Sequence, residues 1–436
     1  MPRFDDDDDD DRPKPRRAPP KAAPRRSALK LVGLGVAGVA VAGLAGIGAR
    51  GYQTGALGDL NRGIAFDPWR SWDKVIATPP PLPPKVEAKD GVLPEEPPID
   101  AAGVLNAGIL AASPHNTQPW RFRATGNVIS LVVDETRWMR TIDPERREML
   151  MGIGCCLENI LIGARAAGIA PIHNTFPQGP NGPEIARLTL YRAPQDVSTE
   201  ARAIGRRRTN RGPYIAGRAI ETATLDQFEG LAPSGNVRIA WIDPLATPGV
   251  AFSNATQAAT ESFVADAEML AESNRWFRHD LATIDRLKDG LTTMTGGTSH
   301  VLLRSGLMMP PSRVGDPHTF WIQLTRTVQL PTAARFGAIL IPDGAGPPAF
   351  VDAGRLWQRM HIKATILGIA AQPLNQTIEV ATRDRAVGRP SAAADGLKAA
   401  FGRSGWQTVF AFRMGYSNYR SFMSPRRPAT DVLDRT

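Results

Sequence analysis

The sequence predicts an α+β protein made of two related halves, and three observations carry that expectation. Strand-like runs such as WRFRA at 120–124 and RFGAILIPD at 335–343 alternate with helical stretches. Two of the helical stretches, 145–168 and 352–373, are long, and the first is apolar over most of its surface, the mark of a helix buried at the centre of a fold. Compared at an offset of 200, Gly154, Ile162, Ala164, Gly168, Ile169 and Ala170 recur as Gly354, Ile362, Ala364, Gly368, Ile369 and Ala370. Two copies of one αβ unit, each centred on a buried helix, would form an intrachain pseudo-dimer that needs no second chain.

The elements follow in order. Residues 1–24 are charged and proline-rich and are expected to be disordered. Arg25 and Arg26 then precede an apolar, Gly/Ala-rich run from Leu31 to Gly48. At about 18 residues this run is barely long enough to span a bilayer, so 1–50 reads as a tail plus a targeting segment, excluded from fold reasoning. The paired arginines resemble a twin-arginine export signal. That resemblance implies export of an already folded protein, to the periplasm or another extracytoplasmic space, or anchoring in the cytoplasmic membrane through residues 31–48. Gly33, Gly35 and Gly38 spell GxGxxG, but inside this signal and without the acidic residue a ribose would need, so no dinucleotide site is read there.

Residues 51–98 form an arm and linker, with Trp69 and Trp72 expected to pack onto the body and 77–98 proline-rich and extended. The first half is assigned to 99–200: a helix from Ile99 to Ala112 stopped by Ser113-Pro114, strands at 120–124 and 127–134, the helix at 145–168, a strand at 186–193 and a helix beginning at 196. The second half, 201–436, holds the strand at 335–343, the helix at 352–373 and a final strand at 405–416. Residues 289–316, rich in Gly, Ser, Thr and Met, are a candidate lid, or else a mobile surface loop.

Composition narrows the chemistry. An apolar content of 42% and a charged content of 22% suit a folded chain of 436 residues. The net charge of +9 falls to a mild, arginine-rich surplus once the first 50 residues are set aside, which suits small anionic ligands and does not point to nucleic acid. The two cysteines, Cys155 and Cys156, are adjacent and give neither disulfide geometry nor a zinc spacing, so no metal is expected.

Two motifs stand out. In ASPHNTQPWRF, residues 112–122, a hydroxyl (Ser113), an imidazole (His115) and two side-chain amides (Asn116 and Gln118) meet where the chain turns from helix to strand. In RRRTNRGPY, residues 206–214, Arg207, Thr209 and Arg211 place two guanidiniums and a hydroxyl within five residues, and SPRRP adds Arg426 and Arg427. Taken alone, the arginine triplet is an ordinary solvated helix end, His115 a satisfied loop histidine, and Asn116 and Gln118 turn or capping residues. His361 reads as core or interface, and Met308 and Met309 as packing.

Together the motifs resemble the nitroreductase superfamily: the first its flavin-contacting loop, the second its phosphate-binding R-R-S-x-R. The central helices and the closing FRMGYSNYRSFMSPRRPATDVL (412–433) are similar to the rest of that pattern, over about residues 95–435. The motifs stand in reversed order, amide loop first, which resembles the tandem-fused Acg-type branch. The resemblance implies a three-layer αβα fold with mostly antiparallel sheets, a bound FMN, and NAD(P)H or another small electron donor. Arg207 and Thr209 would hold phosphate or ribityl oxygens, and Arg211 would sit by the ring edge as the cation that favours reduced flavin. The chemistry agrees: a phosphate dianion calls for arginine forks, and the pyrimidine edge of the ring calls for groups that both donate and accept, such as Asn116 and Gln118. No catalytic acid or base is assigned, since such sites rarely need one.

The expected function is therefore hydride or electron transfer through FMN to an electrophilic acceptor such as a nitroaromatic or quinone. The first rival is a flavin-sequestering protein with an occluded cofactor and little turnover. The second is a phosphate or polyanion binder, which would be colourless.

Overall fold

The chain divides after Gly51, and the architecture below belongs to residues 52–436. The structure, a computed structural model, describes residues 50–51, 56–77, 99, 101–308 and 317–435. The acidic tail, the expected export signal with its GxGxxG, most of the proline-rich linker and residues 309–316 of the candidate lid lie outside the described residues.

Helix α1 (Asp67–Ala77) and helix α2 (Ala101–Gly108) lead into strands β1 (Trp120–Thr125) and β2 (Val128–Val133). The long helix α3 (Arg147–Ala166) follows, then β3 (Ile169–Thr175) and β4 (Glu184–Arg192). After α4 (Thr222–Glu229) come β5 (Arg238–Ile242), α5 (Thr247–Ala265), the two-residue strands β6 (Phe277–Arg278) and β7 (Leu291–Thr292), α6 (His300–Met308) and β8 (Arg335–Pro342). The second long helix is α7 (Pro347–Ile366), followed by β9 (Ile369–Pro373), α8 (Gln376–Ala386), α9 (Ala392–Phe401), β10 (Trp406–Tyr416) and β11 (Leu433–Arg435). The expected α+β class is what the structure shows. Trp69 and Trp72 are buried as expected, their indole N–H groups donating to Ser424 O (2.9 Å) and Ala201 O (3.0 Å).

The strands form one sheet in the order β11-β1-β2-β4-β3 and another in the order β5-β8-β10-β9. Within β1 to β4, and within β5, β8, β9 and β10, every pairing is antiparallel. Numbered by appearance, both sets of four run first-second-fourth-third, with one 20-residue helix between the second strand and the third. The offset of 200 holds to the residue: 147–166 against 347–366, with Gly168 (φ 72°) and Gly368 (φ 69°) turning out of each helix into β3 and β9. A left-handed residue just past a helix end is the usual reason for glycine there.

The two long helices cross at their shared glycines. A Cβ on Gly154 would lie 2.1 Å from Val351 O, and one on Gly354 would lie 2.0 Å from Met151 O, the position 200 residues before Val351. Helix α3 is apolar and long enough to cross a membrane by composition, yet it is mostly buried inside the protein. Its apolar surface is core.

The second sheet is covered on both faces. Ile339 and Ile341 of β8 face the core around α7, while Phe336, Ala338 and Leu340 face α5 and α9, where Phe252 stacks edge-on against Phe336 and Phe401. The first sheet packs α3 on one face and leaves Ile172 and Tyr191 exposed on the other. The C-terminus adds β11 beside β1 as a parallel edge strand, with Phe122 opposite Leu433.

A buried acidic cluster sits at the start of α3. The carboxylate of Asp143 accepts from the N–H groups of Glu148 (3.1 Å) and Met149 (2.9 Å), satisfying helix-terminal donors. Arg147 and Asn375 both donate to Glu148 Oε1. Burial pushes the Asp143 carboxyl up to about 7, opposed by Arg147 and reinforced by Glu148. Burial, then the charge of Glu148, pushes Glu379 well above the usual carboxylate range. Groups raised in the folded state hold protons that the unfolded chain has released, so stability present below about pH 4 is lost as pH climbs through about 7 for Asp143, and higher for Glu379. The urea midpoint is therefore expected to fall between pH 5 and pH 8. Glu379→Gln, whose amide can still donate to Glu148, should raise the midpoint at pH 8 and leave it nearly unchanged at pH 5. An equal shift at both pH values would remove Glu379 from this account.

Candidate functional site

The loop after α2 is built from conformations that side chains rarely adopt. His115, Asn116 and Gln118 have φ of 43°, 55° and 53°. A non-glycine residue in that region costs roughly 1 kcal/mol, least for Asn, so the loop needs outside support. Inside it, Asn116 N–H donates to Ser113 O (3.1 Å), Thr117 N–H to Pro114 O (2.8 Å) and Gln118 N–H to Ser113 Oγ (3.0 Å). Behind it, Ser113 and Pro114 rest on Gly152 of α3.

The two side-chain amides turn toward other parts of the chain. Asn116 Nδ2 donates to Gly290 O (3.2 Å) and Pro425 O (3.0 Å), and its Oδ1 accepts from Arg426 Nη1 (2.7 Å). Gln118 Nε2 donates to Lys288 O (2.9 Å), and its Oε1 accepts from Arg427 N (2.9 Å). Their spare capacity, read in the sequence as facing a ligand edge, here clamps the loop between 288–290 and the C-terminal segment. His115 Nε2 lies 3.0 Å from Ser273 Oγ, and burial followed by the charge of Arg211 pulls its pKa down to about 4, so the ring is neutral at pH 7.

Arginines gather around this loop. Arg207 is buried and donates to Leu110 O (3.0 Å); Arg426 is buried and donates to Ala111 O (3.1 Å) and Pro425 O (2.8 Å), with Leu110 O in reach at 3.4 Å. Arg208 donates to Gly205 O and Arg207 O and lies over the Trp69 ring at 4.1 Å, with Arg426 over the same ring at 5.0 Å. Arg211 donates to Thr295 O (3.3 Å). Arg427 donates to Gln118 O (2.6 Å) and Trp120 O (3.1 Å), with Asp134 3.8 Å away. Thr209 is half-buried between Arg208 and Asn210, and Arg206 is exposed.

Among the described residues, Arg207, Arg208, Arg211 and Arg426 form no ion pair. Burial pulls Arg207 and Arg211 down to about 10 and Arg208 to about 9, and burial plus Arg207 and Arg208 pulls Arg426 well below its ordinary value. The Nε atoms of Arg207, Arg426 and Arg427 are buried without a hydrogen-bond partner. A buried guanidinium with neutral acceptors alone is costly. Arg207 and Arg426 are two such groups, and with half-buried Arg208, which has Asp73 nearby, and half-buried Arg211 they describe a cradle for an anion.

A second pair of arginines, on α7, is neutralised. There Arg359 donates to Leu231 O (3.2 Å), Ser234 donates to Asp352 (2.7 Å), and Arg355 and Arg359 both pair with Glu158, at 3.0 and 2.7 Å. Two arginines at this place meet two carboxylates.

Residues 290–297 touch the amide loop and Arg211. Gly290 N–H donates to Asn116 O (3.1 Å), and Gly297, at φ 80°, sits so close to Arg211 that a Cβ would meet its carbonyl at 2.4 Å. His300 Nε2 is 2.9 Å from Arg420 O, and Arg304 donates to Ala56 O and Gly58 O.

Two contributors were not legible in the sequence. Trp69 is the apolar platform under Arg208 and Arg426. His361, expected in the core and found there, also holds Arg207: its Nε2 is 3.0 Å from Arg208 O and its Nδ1 3.3 Å from Arg207 Nη1. A carbonyl only accepts, so the proton sits on Nε2 and Nδ1 accepts from Arg207. Burial and Arg207 keep the ring neutral. His361→Leu should free Arg207 from α7 and weaken binding of a phosphate-bearing ligand about tenfold. The check is titration with FMN beside riboflavin, whose affinity should stay within a factor of about two.

No protein-family model matches the chain. A Mycobacterium tuberculosis H37Rv protein, provisionally named as an NAD(P)H nitroreductase, is 24% identical over 340 residues, spanning 76% of this chain and 90% of that protein. The acg protein of the same organism, also provisionally named as an NAD(P)H nitroreductase, is 36% identical over 109 residues, 24% of this chain and 32% of its own. The chain is thus similar in sequence to two proteins that carry that provisional name. Among solved structures, the FMN-dependent nitroreductase NfnB of Mycobacterium smegmatis, in complex with NADPH, aligns at 15% identity and TM-score 0.34, over 54% of this chain and 98% of that chain. An FMN-bound nitroreductase of Bacteroides fragilis aligns at 13% identity and TM-score 0.30, over 53% and 94%.

Proposed function

We infer that this chain binds FMN in the arginine cradle and is an oxidoreductase of nitroreductase type. It would take electrons from NAD(P)H or another small donor and pass them to an electrophilic acceptor such as a nitroaromatic or a quinone. The observation that carries the reading is the pair of buried guanidiniums, Arg207 and Arg426, that meet no carboxylate among the described residues, with half-buried Arg208 and Arg211 beside them. A phosphate dianion would replace carbonyl contacts with charge-assisted forks, and the unpartnered Nε atoms of Arg207 and Arg426 leave donors for it.

Each group has a task in this reading. Arg207 and Arg426, with the Thr209 hydroxyl, grip the phosphate, and His361 fixes the Arg207 fork. Arg211 supplies positive charge near the ring, and Arg427 ties Gln118 and β1 to the C-terminus. Ser113, Asn116 and Gln118 hold the loop in its left-handed form, and neutral His115 adds no second cation. The bound flavin supplies the hydride chemistry, which the protein tunes by placement and charge. Because the α7 arginines, Arg355 and Arg359, are balanced by Glu158 and Asp352, one flavin per chain is expected, in a chain that is itself a tandem pseudo-dimer. Arg25, Arg26 and the apolar run 31–48 support export by the twin-arginine route, with cleavage or anchoring to follow.

The test is the absorption spectrum of the purified chain and a titration with FMN, followed by steady-state reduction of a nitroaromatic or quinone. Protein without flavin bands that also fails to bind added FMN would overturn the reading. The segment 290–297, clamped to Asn116 and Arg211, favours a second reading in which the flavin is held and shielded with little turnover. Bound flavin that is slow to react with added reductant, with no steady-state turnover, would select it.

A further inference from the structure

A second cavity, of about 780 Å³, opens between α8, α9 and the start of β10, and shares no residue with the arginine cradle. Its volume is that of a small-molecule site. Its floor is apolar, with Ile378, Leu397 and Val409, and its walls are basic, with Arg147, Lys398 and Arg403. Arg385, also on the wall, is already matched to Glu145 at 3.0 Å. Lys398 and Arg403 form no ion pair among the described residues, and the one other wall acid is exposed Asp343.

Arg147 is 2% exposed and lines the cavity, with Nη2 on Glu148 (3.0 Å), Nη1 on Val409 O (2.6 Å) and Nε without a partner. The pairing of β10 with β8 slips between Thr408 and Phe410, which takes Val409 out of the ladder and leaves its carbonyl to hold this guanidinium. Bulges recur where a strand is re-aimed beside a site. Arg147 is spent on Glu148, so the positive charge open to a ligand is that of exposed Lys398 and Arg403, and beside an apolar floor it matches a ligand with an anionic head and an apolar body.

We propose that this cavity binds a small amphipathic organic monoanion, a carboxylate carried on an aliphatic chain or ring. The head lies between Lys398 and Arg403, and the body lies on Leu397 and Val409. The site is independent of the flavin reading and stands or falls separately.

Octanoate is a suitable probe, followed by calorimetry on the full chain. Saturable binding of one octanoate per chain is expected, weakened about tenfold in Lys398→Glu/Arg403→Glu, in line with the loss of charge-assisted contacts. Ala394→Trp, which fills the cavity from α9 without touching a charge, should abolish binding. Inorganic phosphate should not compete, having no apolar body. The FMN titration is the parallel readout, expected unchanged in both variants. No saturable binding, equal binding in the variants, or octanoate displaced by FMN would each overturn the proposal, the last by placing the probe in the cradle.

Discussion

Arg207→Gln is expected to lower the affinity for FMN about 100-fold while leaving the stability of the flavin-free protein unchanged or higher. The two effects point in opposite directions for one reason. In the flavin-free chain the Arg207 guanidinium is buried against Leu110 O and His361 with no carboxylate, so replacing it by a neutral amide removes an uncompensated charge. Leu110 O keeps Arg426 as a donor at 3.4 Å. With FMN bound, the same guanidinium would face a dianion in a dry site, where a charge-assisted fork is worth about twice a neutral hydrogen bond. Denaturant melts of the flavin-free protein and titrations with FMN and riboflavin measure the two sides. The ratio of FMN to riboflavin affinity should collapse. A variant that loses both ligands equally, or that is destabilised before flavin is added, would show Arg207 to be part of the scaffold alone.

Gly354→Ala should cost the fold more than about 4 kcal/mol, a large share of the 5–15 kcal/mol that holds a typical domain together. The added methyl would sit 2.0 Å from Met151 O and 2.6 Å from Met151 C and Cα. Those are backbone atoms in the middle of the partner helix, with no rotamer to move. Relief requires α3 and α7 to separate along their whole contact, which loosens the core on both sides. Gly154→Ala should behave alike, with Val351 O at 2.1 Å. Gly103→Ala is the control: it lies in α2 with nothing within 4 Å of the new methyl, and should stabilise slightly, by about 0.5 kcal/mol. Urea midpoints of the three variants decide the matter. Equal midpoints would mean that the helices can part without penalty.

Much of the scaffold was legible because it is written in local patterns. Long apolar stretches located both central helices, although the second, read as 352–373, is Pro347–Ile366 with 369–373 a strand, and alternating apolar residues located β8 at 335–342 and β10 at 406–416 to within a residue. The helices flanking the amide loop are shorter than their apolar spacing suggests. The expected helix over 99–112 has its described turns in Ala101–Gly108, and the one over 196–208 is Thr199–Ile204, since Gly108 and Gly205 stop both. Strand β11 carries only three residues and no pattern of its own; it exists because β1 offers an edge. The kinds of residue at the site could be read, but not what each would touch. Whether Arg207 meets a carboxylate or a carbonyl depends on Leu110 and His361, 97 and 154 residues away. The same holds for the amides of Asn116 and Gln118, whose partners lie in 288–290 and 425–427.

The distance along the chain between Asn116 and Arg426, 310 residues, has a consequence for how this protein comes into being. A ribosome finishes the amide loop early and the C-terminal arginines last. At a typical elongation rate the loop waits on the order of tens of seconds for the segment that clamps it. During that interval β1 is an open sheet edge, because β11 has yet to emerge. The nascent chain thus exposes an adhesive strand and an unfinished pocket until residues 425–435 have been made. A truncation at the last dozen residues would leave it permanently in that state, needing a chaperone to stay soluble.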